Sequence, residues 1–192
     1  MWRIYSDKSN KKLQTDNVRG VCLVVSLSLH FTTRQTPHTL RLNLALYEED
    51  GSYMTNSKRQ SEDLMNASIE LAEKLLTEHG EFYPFGHAML KDEQIVSVAA
   101  YDGNEFPPSR ELIELLESAF KVGALKKEYI GTALAYDVKV SSEEGKSEDA
   151  LAINIDNVAD YSIIIIIPYY FNDGVLEFGE ITAQLGSNEI FV

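Results

Sequence analysis

From Leu40 the chain alternates leucine with other residues: Leu40, Leu42, Leu44 and Leu46 against Arg41, Asn43, Ala45 and Tyr47. A period of two belongs to a half-buried strand. Val21–Phe31 repeats the pattern. Val21, Leu23, Val25, Leu27, Leu29 and Phe31 share one face, and Cys22, Val24, Ser26, Ser28 and His30 share the other. The matched alternation and the short connection through Pro37 predict that these two strands pair. Trp2, Ile4 and Tyr5 suggest a short opening strand. Glu48-Glu49-Asp50-Gly51 reads as a turn into a short return strand at Ser52–Thr55.

The period then changes. Ser61 is a candidate N-cap, with Glu62 and Asp63 where the helix dipole favours acids. Leu64, Ser68, Leu71, Ala72, Leu75 and Leu76 form one stripe at helical spacing. Gly80 suits the left-handed position that closes such a helix. Glu81–Leu90 and Ile95–Tyr101 read as a hairpin. Pro107-Pro108 opens a second helix, with Leu112, Leu115, Leu116, Ala119 and Phe120 as its buried stripe and Gly123 as its stop.

The remainder reads as β. Ile130, Leu134, Tyr136, Val138 and Val140 share one strand face. Gly131, Ala133 and Ala135 lie opposite, small enough to let a helix approach. Leu151, Ile153 and Ile155 mark the next strand. Ile163–Ile167 is a run of five isoleucines, which predicts a central strand buried on both faces. Asn172-Asp173-Gly174 is a hairpin signal, and Val175–Gln184 reads as one long final strand. The predicted class is α+β: a mostly antiparallel sheet with two amphipathic helices packed against it, in the order β-β-α-β-β-α-β-β-β-β.

Composition adds a charge asymmetry. Residues 1–59 carry nine Lys/Arg against five Asp/Glu, a net of +4, whereas residues 60–192 carry eight against twenty-five, a net of −17. This suggests an N-terminal β-rich segment, 1–59, which either stands apart or extends the main sheet, and an acidic α+β domain, 60–192. An acidic surface repels nucleic-acid phosphates and anionic lipid, so a basic protein is the favoured partner. No apolar run approaches the roughly 20 residues that span a bilayer. No small-x-small cleavage site follows Val21–Leu29, so a cytoplasmic location is expected. Cys22 is the lone cysteine, which excludes an intramolecular disulfide. A homo-oligomer is compatible with the pattern.

The most distinctive segment is Glu81-Phe82-Tyr83-Pro84-Phe85-Gly86-His87. Phe82, Tyr83, Phe85 and His87 are the candidate binding residues, because aromatics around a proline line pockets and partner sites. The competing reading is that they cap the core where helix meets sheet. His79 and His87 do not match a known metal-ligand spacing. Asp102, Glu105, Asp156 and Asp160 sit near strand ends and read as solvated surface acids. The sequence has no phosphate-binding, hydrolase-elbow or zinc-protease motif, so no catalytic, cofactor-binding or metal-ligating residues are assigned.

The run Ala72–Tyr101, with His79-Gly80-Glu81-Phe82-Tyr83-Pro84-Phe85-Gly86 before a hairpin, resembles small acidic bacterial proteins. Some of that class are immunity proteins that neutralise partner toxins. The resemblance is close over those residues, loose over 60–192, and excludes 1–59. It implies a non-enzymatic protein-binding domain, an inhibitor of a basic toxin. The alternative is a small-molecule-binding or enzymatic domain with a pocket at residues 82–87.

Overall fold

The isoleucine run lies in an interior strand of the sheet, second from one edge. The computed structural model describes residues 21–25, 53–101, 103–104, 106–141 and 147–192. The run belongs to a strand flanked on both sides. In chain order the elements are β1 (Val21–Val25), α1 (Tyr53–His79), β2 (Phe85–Leu90), β3 (Ile95–Tyr101), α2 (Ser109–Leu125), β4 (Tyr129–Ser141), β5 (Ser147–Asn157), β6 (Tyr161–Asn172), β7 (Val175–Phe178) and β8 (Thr182–Leu185). The sheet order is β1-β3-β2-β4-β5-β6, with β7 and β8 both paired to the far side of β6. Every pairing among the described residues is antiparallel. The fold is α+β, as the periodicity predicts.

The helices cover opposite faces of this sheet. Leu64, Met65 and Ala72 of α1 pack with Phe85, Met89, Ala133, Ala135, Leu151, Ile153, Ile155, Ile163, Ile165 and Ile167. Leu116 and Phe120 of α2 pack with Ala88, Val96, Val98, Tyr129, Leu134 and Ile190. Alternation assigns each strand residue to one cluster or the other. Small residues set how close each helix comes. Gly131 lies under α1, where an added Cβ would stand 3.0 Å from Leu64 Cδ1. Gly86 lies under α2, where a Cβ would collide with the Phe120 ring. Fully burying one Leu or Ile side chain contributes about 1.5–3 kcal/mol, so these two clusters dominate stability.

Several boundaries differ from the periodicity. The first helix begins at Tyr53, so Ser61 is no N-cap but a buried interior residue, and Tyr53–Thr55 is helical rather than strand. Polar tertiary contacts hold the early turns. Arg59 bonds Asn56, Asp63 and Glu93, and Gln60 joins Glu93 to Asn157. A hydrophobic pattern does not register such contacts. The 59/60 division thus falls inside α1, and β1 pairs with β3 in the sheet. Leu40–Tyr47 and Trp2–Tyr5 lie outside the described residues.

The hairpin strand begins at Phe85, not Glu81. Gly123 lies inside α2 against the Tyr129 ring, and the helix runs on to Leu125. Gly80 does close α1, with φ of 76° and its N–H on Leu76 O at 2.8 Å. The long final strand divides into β7 and β8 opposite Pro168 of β6, which has no N–H for the ladder. Between the pairs Tyr169–Phe178 and Ile166–Thr182, two residues of β6 face three, a one-residue bulge. Gly179 N–H donates to Pro168 O there at 2.7 Å.

Candidate functional site

The aromatic segment joins the core. Phe85 and His87 are buried beneath α1, and Phe82 packs half-buried against the same cluster. The Phe82 and Phe85 ring centroids are 5.7 Å apart, and His87 meets the Phe85 ring edge-on at 5.7 Å. Tyr83, 46% exposed, is the member of the four that faces water. His87 Nδ1 lies 3.1 Å from Ser68 Oγ, which itself donates to Leu64 O at 2.9 Å. With the hydroxyl proton on Leu64 O, the Nδ1–H donates to Ser68. Burial pulls the His87 pKa down to about 4, so the ring is neutral at pH 7.

The other sequence-flagged groups scatter. His79 pairs with its neighbour Glu78 at 3.6 Å. No group of three His, Cys, Asp or Glu side chains among the described residues is placed to hold a metal ion. Asp102 and Glu105 lie outside those residues. Cys22 sits on β1 opposite Ala100. Asp160 accepts from Asn188 Nδ2 at 3.2 Å. Asp156 alone enters a concave site.

That site is a cleft of about 250 Å³ on the α2 side of the sheet. It arises because α2 lies over β2, β3 and β4 and leaves the same face of β5 and β6 open. The C-terminal segment after β8 forms the opposite wall. Two cross-strand rows make the floor. Thr132, Asp156 and Ser162 stand side by side on β4, β5 and β6, followed by Leu134, Asn154 and Ile164. Glu117 and Phe120 of α2 form one wall, and Gly186, Ser187, Glu189 and Ile190 the other.

The polar atoms are partly tied. Ser162 Oγ donates to Asp156 Oδ1 at 2.6 Å, Tyr136 Oη donates to Asn154 Oδ1 at 3.4 Å, and Ser187 Oγ donates to Glu189 Oε1 at 3.1 Å. Burial raises the Glu117 carboxyl above its usual range. Lys121 opposes that shift, while Glu189, Glu114 and Asp156 add to it. Glu189, Glu114 and Asp156 thus repel the Glu117 carboxylate, with Lys121 as the cation that opposes them.

A second cavity, of about 20 Å³, lies between α1 and β5–β6 with Ser61, Met65, Ile155 and Ile163 in its walls. It has room for a single water molecule.

Of the cleft residues, Asp156 was legible as a strand-end acid, but Thr132, Asn154, Ser162, Glu117 and Glu189 were not singled out. The available signal was Asn154 and Asp156 on the alternate positions of a strand otherwise made of Ala, Leu and Ile. Comparison of the chain with family sequence models, with curated proteins and with solved structures finds no match.

Proposed function

We propose that this chain is a non-enzymatic binding protein for a basic protein partner, of the kind an immunity protein makes with a basic toxin. One observation carries the reading: Glu117, Asp156 and Glu189 converge on a single cleft. The charge of residues 60–192 supports it, because a long-range field of that sign steers cationic partners into contact. Polar side chains on floor and walls, set among Phe120, Leu134, Ile164 and Ile190, suit recognition by a few placed groups.

Isothermal titration tests this with an Arg/Lys-rich peptide and a Glu-rich peptide of equal length. The basic peptide binds and the acidic one does not. Affinity falls between about 50 mM and about 300 mM salt as the charges are screened. The triple variant Glu117→Gln, Asp156→Asn, Glu189→Gln loses at least about tenfold in affinity, equal to about 1.4 kcal/mol. Equal affinity of the native and triple-variant proteins overturns the reading, as does a failure of the basic peptide to bind.

A further inference from the structure

We infer that the α2-side face of β4, β5 and β6 is a docking trough for a helix of the basic partner. That helix is apolar along its middle and carries Lys or Arg at both ends; this rests on the function proposed above and specifies its contact.

The apolar middle follows from two cross-strand rows. Tyr136, Ala152 and Ile166 stand side by side on the α2 side, followed by Val138, Ala150 and Pro168. Helix α2 packs over β2, β3 and β4, and among the described residues no helix covers these rows. Val138 and Ile166 are half-buried and belong to neither hydrophobic cluster. A contiguous apolar surface left open in this way marks an interaction site.

Its shape follows from side-chain size. Ala150 and Ala152 are buried between larger neighbours, so β5 is the floor and β4 and β6 are the walls. Two strand spacings separate the walls, about 10 Å, which matches the about 10–12 Å diameter of a helix with its side chains. The opposite face of the sheet has the same device, because α1 settles over the small residues Gly131 and Ala133.

Charge selects the occupant. On the α2 side of β4 to β8 the charged residues are Glu148, Asp156 and Glu177, and among the described residues there none is basic. Glu148 stands at one end of the trough. Asp156 stands at the other, where the trough runs into the cleft and Glu117 and Glu189 join it against Lys121. At about 3.4 Å per residue these ends are about 27 Å apart, the length of a helix of about 18 residues. Lys or Arg at the ends of an apolar helix complements carboxylates at the ends of an apolar floor. Their methylene stems add to the apolar contact. A second copy of this chain fits less well, since pairing the same face across a two-fold axis sets acids against acids. Anionic lipid is repelled for the same reason.

The experiment titrates the methyl-labelled full chain by NMR with two peptides of about 18 residues and identical composition. One sets Leu and Ala along one helical face with two Lys or Arg at each end; the other is its scramble. The amphipathic peptide binds at least about tenfold more tightly, with saturable shifts at Val138, Ala150, Ala152 and Ile166. The double variant Val138→Thr, Ile166→Thr weakens it by at least about fivefold, and its urea midpoint reports that the fold is kept. Glu148→Gln, at an exposed position, weakens it by about twofold and flattens the salt dependence. Should the double variant not fold, the methyl shifts and Glu148→Gln decide.

Equal affinity for the two peptides overturns the inference, as do shifts centred away from the trough. Unchanged affinity in the folded variants does the same. So do methyls that already contact another part of this chain, or a second copy, before peptide is added. In any of these cases an Arg/Lys-rich peptide that still binds with salt dependence leaves the proposed function standing. Failure of that peptide removes the function and the trough together.

Discussion

Strands β5 and β6 present different chemistry on their two sides. Toward α1 they offer Leu151, Ile153, Ile155, Ile163, Ile165 and Ile167, every one of them buried. Toward the cleft they offer Asn154, Asp156, Ser162 and Ile164, none of them fully buried. The same two strands thus close the core on one face and leave a polar-floored opening on the other. A closed apolar face needs no partner. A face with inward polar groups is stable only where those groups meet each other, water or a ligand. The contrast separates the part of the sheet that closes the core from the part left open.

The sharpest way to break that contrast is to place the same charge on each side. Ile165→Asp puts a carboxylate among the buried isoleucines beneath α1. Lys58 and Glu62 both border the small cavity at this position, so no net compensation is at hand, and the cost is several kcal/mol, comparable to the whole stability of a domain this size. That variant is expected to be insoluble or unfolded. Ile164→Asp, one residue away, places the carboxylate at the cleft. It loses about 1–2 kcal/mol of apolar burial and repels the resident acids, yet folds. Soluble yield and urea midpoints measure both. Equal damage from the two substitutions means the faces do not differ as described.

A second test concerns the α1 face and its one buried imidazole. The His87 pKa falls from 6.5 in the unfolded chain to about 4 in the fold. The unfolded state therefore binds the proton first as pH drops. The contribution of His87 to stability is intact above pH 6.5 and is lost progressively as pH falls toward 4. The full loss is about 3 kcal/mol, from the pKa difference at 1.36 kcal/mol per unit. Denaturant midpoints across this window, for the native chain and for His87→Gln, isolate the effect. The native protein loses more stability than the variant between pH 6.5 and 4. Parallel curves mean that His87 takes up protons as freely in the fold as outside it.

The sequence made one of these faces far easier to read than the other. Apolar periodicity located α1, α2 and strands β2 to β6, and the small residues Gly131, Ala133 and Ala135 marked a face that a helix, α1, approaches. It also placed Ile163–Ile167 inside the sheet, between β5 and β8. The run concealed its own alternation, because isoleucine occupies both the buried positions 163, 165 and 167 and the half-buried positions 164 and 166. The early turns of α1 were illegible for a related reason: their ties are polar and long-range, such as Asn157 to Gln60 at 3.0 Å. The cleft was harder still. Its floor joins positions on three strands and its walls come from α2 and the C-terminal segment, so no local window contains it. Glu117 stands four residues before Lys121 on α2, a spacing that gives no sign of Glu189 and Asp156 across the cleft. The aromatic segment was the reverse case. Its composition is conspicuous, yet Phe85 and His87 are spent on packing beneath α1.

The smallest expected effect bears on whether the cleft is electrostatically unsatisfied in the free protein. Burial, then the surrounding carboxylates, raise the Glu117 pKa in the fold against the opposing pull of Lys121. A carboxyl whose folded pKa lies above its unfolded value is less willing to ionise in the fold. Its ionised form therefore opposes folding at pH 7, and this penalty fades as pH falls below the carboxylate range. Glu117→Gln removes the charge and keeps the shape. The variant should be more stable than the native chain at pH 7, by only about a few tenths of a kcal/mol because the side chain is partly solvated and screened. The gain should shrink toward zero at acid pH, where Glu117 is protonated in both states, and should also shrink in high salt. Urea midpoints at neutral and acid pH, each at low and high salt, provide the check. A variant less stable than native at pH 7 means that Lys121 outweighs the other influences on Glu117. The cleft would then be charge-balanced without a partner.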